Sequence, residues 1–230
     1  NLYLVATLSV TNMMAEMCEK LDADWDEIVP ALQLDRRIGK HAYLKPGLGF
    51  SGGNLERDLA TTAMMTTNLD CNSDLADTWI SDNVYRRKWV IDKLRKHALI
   101  GDQRRTLAVL GLAYKANTSS TKNSVAIDLL TKLTNLDGQH EINVFDPVVT
   151  SHDIRGYDVT FMDSALQTCH GADALMLMTP WEEFRTLVPS QLATIMNGTI
   201  IIDPYRVLNP VDCKKVGLHY FTLGKNYQKR

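Results

Sequence analysis

The apolar positions Leu4, Val5, Leu8, Met13, Met14, Met17 and Leu21 recur at helical spacing and predict an amphipathic helix at the start of the chain. A second helix is expected over residues 22–34. Asp24 is its N-cap and Glu27 follows three residues on, a capping box with Asp in place of Ser or Thr. Residues 54–69 read as a third helix. Residues 73–99 carry a helical pattern with no internal Gly or Pro. They predict one helix of about 39 Å, at a rise of about 1.5 Å per residue, which reads as a spine between domains or a subunit interface. The methionines of this block read as core and interface packing.

After Gly101 the pattern changes to short apolar runs alternating with helical segments. Strands are expected at 105–114, 142–147, 159–163, 174–179, 199–204 and 219–222, with helices at 123–136, 164–172 and 189–196. Ser164 is the expected cap of one helix, and Pro189 stands at the start of another. Such alternation predicts an α/β fold, in which an all-helical region (1–100) is followed by a Rossmann-like, doubly wound parallel sheet (101–230). Ligands of such sheets bind beyond the carboxyl ends of the strands, which points at residues 114–122, 146–147, 179–185 and 203–206. Trp181 and Phe184, within that set, read as packing residues.

Composition narrows the class without naming it. The chain has 230 residues, 45% of them apolar and 23% charged, with a net charge of −2. No basic excess argues for nucleic acid, and no apolar run is long enough for a membrane span. The four cysteines, at 18, 71, 169 and 213, show no metal-like spacing and suit buried thiols in a reduced, cytoplasmic protein. The nearest to the glycine loop, Cys71, is expected to be buried, and no metal site is expected. The chain opens at Asn1 inside a helical pattern with no visible signal peptide, and so reads as a fragment.

The stretch KPGLGFSGGNLERD (45–58) contains Gly47, Gly49 and Gly52 in the pattern G-x-G-x-x-G, with Asp70 further on. A dinucleotide fingerprint needs a buried strand in front. Here RRIGKHAYLKP precedes it, basic and ending in proline. The loop is therefore no nicotinamide cradle, although its glycines allow backbone to approach a phosphate near Lys45.

The order of motifs resembles the UDP-glucose/GDP-mannose 6-dehydrogenase family, the nucleotide-sugar dehydrogenases. The resemblance is carried by NMMAEMCEKLDADWDEIV (12–29), DRRIG (35–39), LKPGLGFSGGNLERD (44–58), VLGLAYKANT (109–118), VFDP (144–147), GADALMLMTPWEEFR (171–185) and IIDPYRVL (201–208). It implies a homodimer formed through the helical region and a nucleotide-sugar-binding α/β domain. The NAD-binding domain of such enzymes would lie before Asn1. The reaction implied is oxidation of a sugar C6 alcohol to a carboxylate for polysaccharide precursors, with two hydrides passed to two NAD. A UDP-sugar is favoured over a GDP-sugar.

The resemblance also assigns residues. Asn1 matches an asparagine that follows a catalytic lysine by one helical turn, and Asp58 an aspartate that helps activate water. Gly49 and Phe50 would line the sugar pocket, Tyr43 and Lys45 would flank nucleotide and phosphates, and Arg37 would reach the neighbouring subunit's site. Tyr114, Lys115 and Arg206 would contact the nucleotide sugar. Lys122 stands where an arginine often touches the NAD diphosphate, keeping the charge and losing the fork. Asn54 occupies the position of the family's nucleophilic cysteine. Asparagine cannot form a thioester; it can hydrogen-bond an oxygen or cap the helix that follows.

Overall fold

Helix α1 (Leu2–Leu21) buries Val5, Leu8, Asn12, Ala15 and Cys18 along one face, the three- and four-residue spacing of a core-facing stripe. It ends at Asp22, whose left-handed backbone (φ 63°) stops the helix while its N–H donates to the Cys18 carbonyl. Asp24 caps α2 (Trp25–Leu34) by accepting the Asp26 N–H at 3.1 Å. Helices α3 (Asn54–Asn68) and α4 (Asp74–Arg86) complete the helical block.

The computed structural model describes residues 1–101, 103–136 and 140–228. They form two units, one of residues 1–88 with the returning segment 223–228, the other of residues 89–222. The first unit has two apolar clusters. Val5 and Leu8 meet Phe50, Leu59 and Ala76, whereas Ala15 and Cys18 meet Trp25 and Leu44. The indole of Trp25 donates to the Leu44 carbonyl at 2.7 Å. Gly224 lies so close that an added Cβ would stand 2.8 Å from the Trp25 Cβ. Methionines 13, 17, 64 and 65 are exposed on this chain, and Met14 packs on the second cluster.

The pattern over 73–99 forms two helices, α4 and α5 (Trp89–His97), where one continuous helix was expected. At Arg87–Lys88 the helical ladder tightens, the Lys88 N–H bonding the Tyr85 carbonyl three residues back. The Arg87 guanidinium is drawn to the Phe50 carbonyl (2.8 Å) and Glu56 (3.1 Å). Tertiary bonds of this kind are invisible to a periodicity reading.

The second unit is a six-stranded, all-parallel sheet in the order β3-β2-β1-β4-β5-β6. Its strands are β1 (Thr106–Leu110), β2 (Glu141–Phe145), β3 (Thr160–Phe161), β4 (Ala174–Leu177), β5 (Ile200–Ile202) and β6 (His219–Phe221). Register follows the apolar runs, with Val109 beside Val144 on one side and Met176 on the other. Four residues of β1 and all of β4 are buried, as a sheet covered on both faces requires. Helices α6 (Val125–Thr134), α7 (Ala165–Cys169) and α8 (Pro189–Ile195) start at Ser124, Ser164 and Pro189. Trp181 and Phe184 are buried, as packing residues should be. A ninth helix, α9 (Pro210–Lys215), was not anticipated, although Asn209 caps it and Pro210 opens it.

All four thiols are free. Cys18, Cys169 and Cys213 are buried, and burial pushes the last two up to about 12. Cys71, expected to be buried, is instead exposed on the α3–α4 connection. No helix among the described residues is long and apolar enough to cross a membrane.

Candidate functional site

In the first unit the glycine loop is held by polar side chains projecting from the helices beneath it. Asn12 of α1 accepts the Gly47 N–H at 2.8 Å, and Asn83 of α4 accepts the Phe50 N–H at 2.6 Å. Arg86 donates to the Gly47 carbonyl at 3.2 Å, and Arg87 to the Phe50 carbonyl. Glu56 joins the set by accepting from Asn83 and Arg87. Gly49 has φ +90°, and a Cβ there would lie 2.3 Å from Asn83 Oδ1. The loop is therefore preorganised against α4, and Gly49 is required by that approach.

Sequence reasoning missed these braces. Asn12 lies on the buried face of α1 between Leu8 and Ala15, and Asn83 and Arg86 are buried at 7% and 2% exposure. A polar residue on an apolar stripe is the signal that could have found them. Asn83→Ala would leave the Phe50 N–H without its acceptor, at a cost of about 1–3 kcal/mol. Urea unfolding measures this; a loss below about 0.5 kcal/mol would mean that the loop is held elsewhere.

The loop leads into α3, whose N-cap is Gly53 with no side-chain cap bond. Asn54, expected to bond an oxygen or cap the helix, is its exposed first residue and not its cap. Asp58 lies one turn later, on the face that i, i+4 spacing shares with Asn54. The Asn1 side-chain amide donates to Asp58 Oδ2, joining positions 57 residues apart. Arg57 binds the other carboxylate oxygen at 2.9 Å. The Asn1 hydrogen bond first, and Arg57 second, hold the Asp58 carboxyl below the usual carboxylate range.

Other expected positions make different contacts. The Phe50 ring is 2% exposed and packs among Val5, Leu8, Leu59 and Ala76. The ring is apolar and the loop carries it inward, so only the Phe50 backbone faces the loop's partners. Tyr43 and Lys45 extend outward on either side of buried Leu44. Arg37 is exposed and forms a two-pronged pair with Asp35, at 3.0 Å and 2.6 Å. It borders an apolar groove of about 590 Å³ with Val10, Met14, Ile28, Leu32 and Ile38.

In the second unit the strand order reverses between β1 and β4, so their carboxyl ends flank the topological switch point. The buried Asp146, just past β2, gathers this crown. One oxygen accepts the N–H groups of Leu112 (2.7 Å) and Ala113 (3.1 Å) and the Trp181 indole (3.2 Å). The other accepts those of Val148 (2.9 Å) and Val149 (2.8 Å). Thr179 donates to the Ala113 carbonyl at 2.7 Å and Ser124 to that of Leu112 at 2.7 Å.

The loop so fixed carries half-buried Tyr114 and exposed Lys115, whose Nζ lies 5.5 Å from the Tyr114 ring centroid. Lys122 is exposed three residues before α6. Past β5, Arg206 is half-buried with φ +53°. Two cations are thus displayed by the β1–α6 connection and a third by the β5–α9 connection.

An all-parallel sheet in this order, with fixed loops at its switch point, defines the Rossmann class of nucleotide-binding α/β folds. Two family models match the chain: the UDP-glucose/GDP-mannose dehydrogenase family central domain over residues 1–85 and the same family's UDP binding domain over residues 108–210. The chain belongs to the UDP-glucose/GDP-mannose dehydrogenase family.

The UDP-glucose 6-dehydrogenase of Rickettsia bellii is 30% identical over 227 residues, covering 97% of this chain and 52% of that protein. A UDP-glucose 6-dehydrogenase of Bacillus subtilis is 27% identical over 228 residues, covering 98% and 48%. This chain spans about half the length of the curated relatives it matches. A UDP-glucose dehydrogenase structure from Pyrobaculum islandicum shares the fold with a TM-score of 0.80 at 22% identity, over 95% of this chain and 48% of that one.

Proposed function

We propose that the protein is an NAD-dependent nucleotide-sugar 6-dehydrogenase, to which this chain contributes subunit contacts and nucleotide-sugar binding. The substrate is a UDP-sugar in preference to a GDP-sugar, and the product is a uronic acid used in polysaccharide precursors. The setting is the cytoplasm and the assembly a homodimer through the helical region. The observation that carries this reading is the Asn1–Asp58 hydrogen bond, beside the braced loop and Asn54. Two residues that the family resemblance assigns to catalysis, 57 positions apart in the chain, meet there.

Oxidation of an alcohol to an acid removes two hydrides and adds one water oxygen. NAD, when bound, would supply the hydride acceptor, and exposed Lys122 would meet its diphosphate as a point charge. The Asn1 amide is a donor for a C6 oxygen that gains negative charge. Asp58, held ionised by its two partners, accepts a proton-bearing water and aims its oxygen at the aldehyde carbon. With Asn54 in place of a thiol, the aldehyde is oxidised as its hydrate and not as a thiohemiacetal. Within the α/β unit, Lys115 and Arg206 provide cations for the diphosphate. Arg37, already set by Asp35, reaches the neighbouring subunit's site.

Asn54 also favours a second reading, a nucleotide-sugar-binding homologue with little turnover. The protein expressed from its complete reading frame separates the two. Two NADH per UDP-glucose is the expected stoichiometry for acid formation. One NADH with a trappable aldehyde would reduce the reaction to a single oxidation. Binding of UDP-glucose without NADH would establish the second reading.

A further inference from the structure

The connection after β5 returns from the sheet through a tight turn containing Pro204, Tyr205 and Arg206. Arg206 sits at φ +53°, a conformation that costs a residue with a Cβ about 1–2 kcal/mol. Glycine or asparagine would make the same turn with less strain. An arginine held there points to a use for its side chain, the direction in which backbone strain supports a functional reading.

The holding is done by Asp203. Its side chain is fully buried at the carboxyl end of β5. One oxygen accepts the Tyr205 N–H at 3.2 Å; the other accepts the Leu208 N–H at 2.8 Å and the Tyr220 hydroxyl at 2.7 Å. These bonds bracket Arg206 on both sides in sequence. The Arg206 N–H itself faces the Asp203 carbonyl at 3.4 Å. Tyr220 is 1% exposed on β6, and its hydroxyl also lies 3.2 Å from the Leu208 carbonyl. Burial raises the Asp203 carboxyl, and the surrounding hydrogen bonds oppose that shift.

We propose that Asp203, supported by Tyr220, is a positioning residue that fixes the 204–207 turn so that Arg206 meets the diphosphate of a nucleoside diphosphate ligand. This rests on the reading of Arg206 as a substrate anchor. Asp203 touches no ligand itself; its effect is carried entirely by the backbone of the turn.

The test is a double-mutant cycle on the protein expressed from its complete reading frame, with uridine 5′-diphosphate as the probe in isothermal titration calorimetry. Arg206→Ala is expected to weaken binding about tenfold or more, as loss of a charge-assisted contact does. Asp203→Asn is expected to weaken it about tenfold in the native background and less than about twofold once Arg206 is alanine. Tyr220→Phe, which spares the carboxylate, gives a smaller loss that also vanishes in the Arg206→Ala background. It decides the matter if Asp203→Asn does not fold. Arg206→Gly should raise the melting temperature while losing affinity, a split that a purely structural turn would not show.

Additive losses in the two backgrounds would overturn the positioning role alone. The same holds if Asp203→Asn and Tyr220→Phe bind normally while Arg206→Ala does not. Native affinity in Arg206→Ala, or no binding by the unaltered protein, would overturn the anchor reading together with the inference.

Discussion

Asp58→Asn is expected to lower NADH production by the complete protein about 10²–10⁴-fold, the range for losing a positioned proton-transfer group, with UDP affinity changed less than about twofold. The substitution keeps the size of the side chain but removes the charge that accepts from Asn1 and Arg57. Because both partners favour the ionised form, the Asp58 pKa is depressed. The sign follows directly: activity that depends on this carboxylate stays on the plateau at neutral pH. It is lost only as the solution is acidified through a folded-state value below the ordinary carboxylate range. A neutral-range inflection in kcat would assign the titrating group elsewhere, and turnover within about fivefold of native would remove Asp58 from the mechanism. Asn54→Cys is the informative companion, because it restores a thiol one helical turn away without disturbing the Asp58 pair.

Gly111→Ala is expected to destabilise the α/β unit by about 2–5 kcal/mol. Gly111 has φ +89°, and an added Cβ would lie 2.5 Å from the Thr179 Cβ and 2.7 Å from the Thr179 backbone nitrogen. Left-handed strain accounts for about 1–2 kcal/mol and overpacking for about 1–3 kcal/mol. Backbone of the β4 end cannot swing aside as a flexible side chain would. Gly156→Ala is the matched control, since Gly156 has φ +96° with nothing within 4 Å of the added Cβ. It should cost the strain alone, about 1–2 kcal/mol. Urea midpoints at constant m-value compare the two; equal losses would show that the crown relaxes around the clash. The surviving folded fraction of Gly111→Ala should also bind UDP more weakly, because Tyr114 and Lys115 follow from this turn.

The doubly wound sheet was legible because burial on both faces writes itself as continuous apolar runs. TLAVL, ALML and III became strands, the first ending at Leu110 where a run to 114 was expected, and Ser164 and Pro189 marked helix starts that formed as expected. The helical block was legible as helices for the complementary reason, its period of three and four. Continuity across 73–99 was not, because the break at Arg87–Lys88 accompanies hydrogen bonds to Phe50 and Glu56, more than 30 residues away. Cys71 was misjudged because hydrophobicity of a single thiol says nothing about which side of a loop it faces. The burial of the Phe50 ring among Val5, Leu8 and Leu59 was not legible either, because those partners lie on other elements.

The sequence by itself determined the fold class, the family and the residue types available for chemistry: Asn1, Asp58, Lys45, Lys115 and Arg206, with asparagine at 54. These follow from local period, composition and motif order, which need no knowledge of distant contacts. Tertiary structure alone decided that Asn1 meets Asp58, that Asn12, Asn83 and Arg86 brace the glycine loop, and that Asp146 and Asp203 fasten the crown of the sheet. Apart from the local Asp203–Leu208 bond, each of these joins a side chain to a group remote in sequence, as Asp203 itself does through Tyr220. Nothing local distinguishes a buried aspartate that collects five hydrogen bonds from a surface aspartate that collects water.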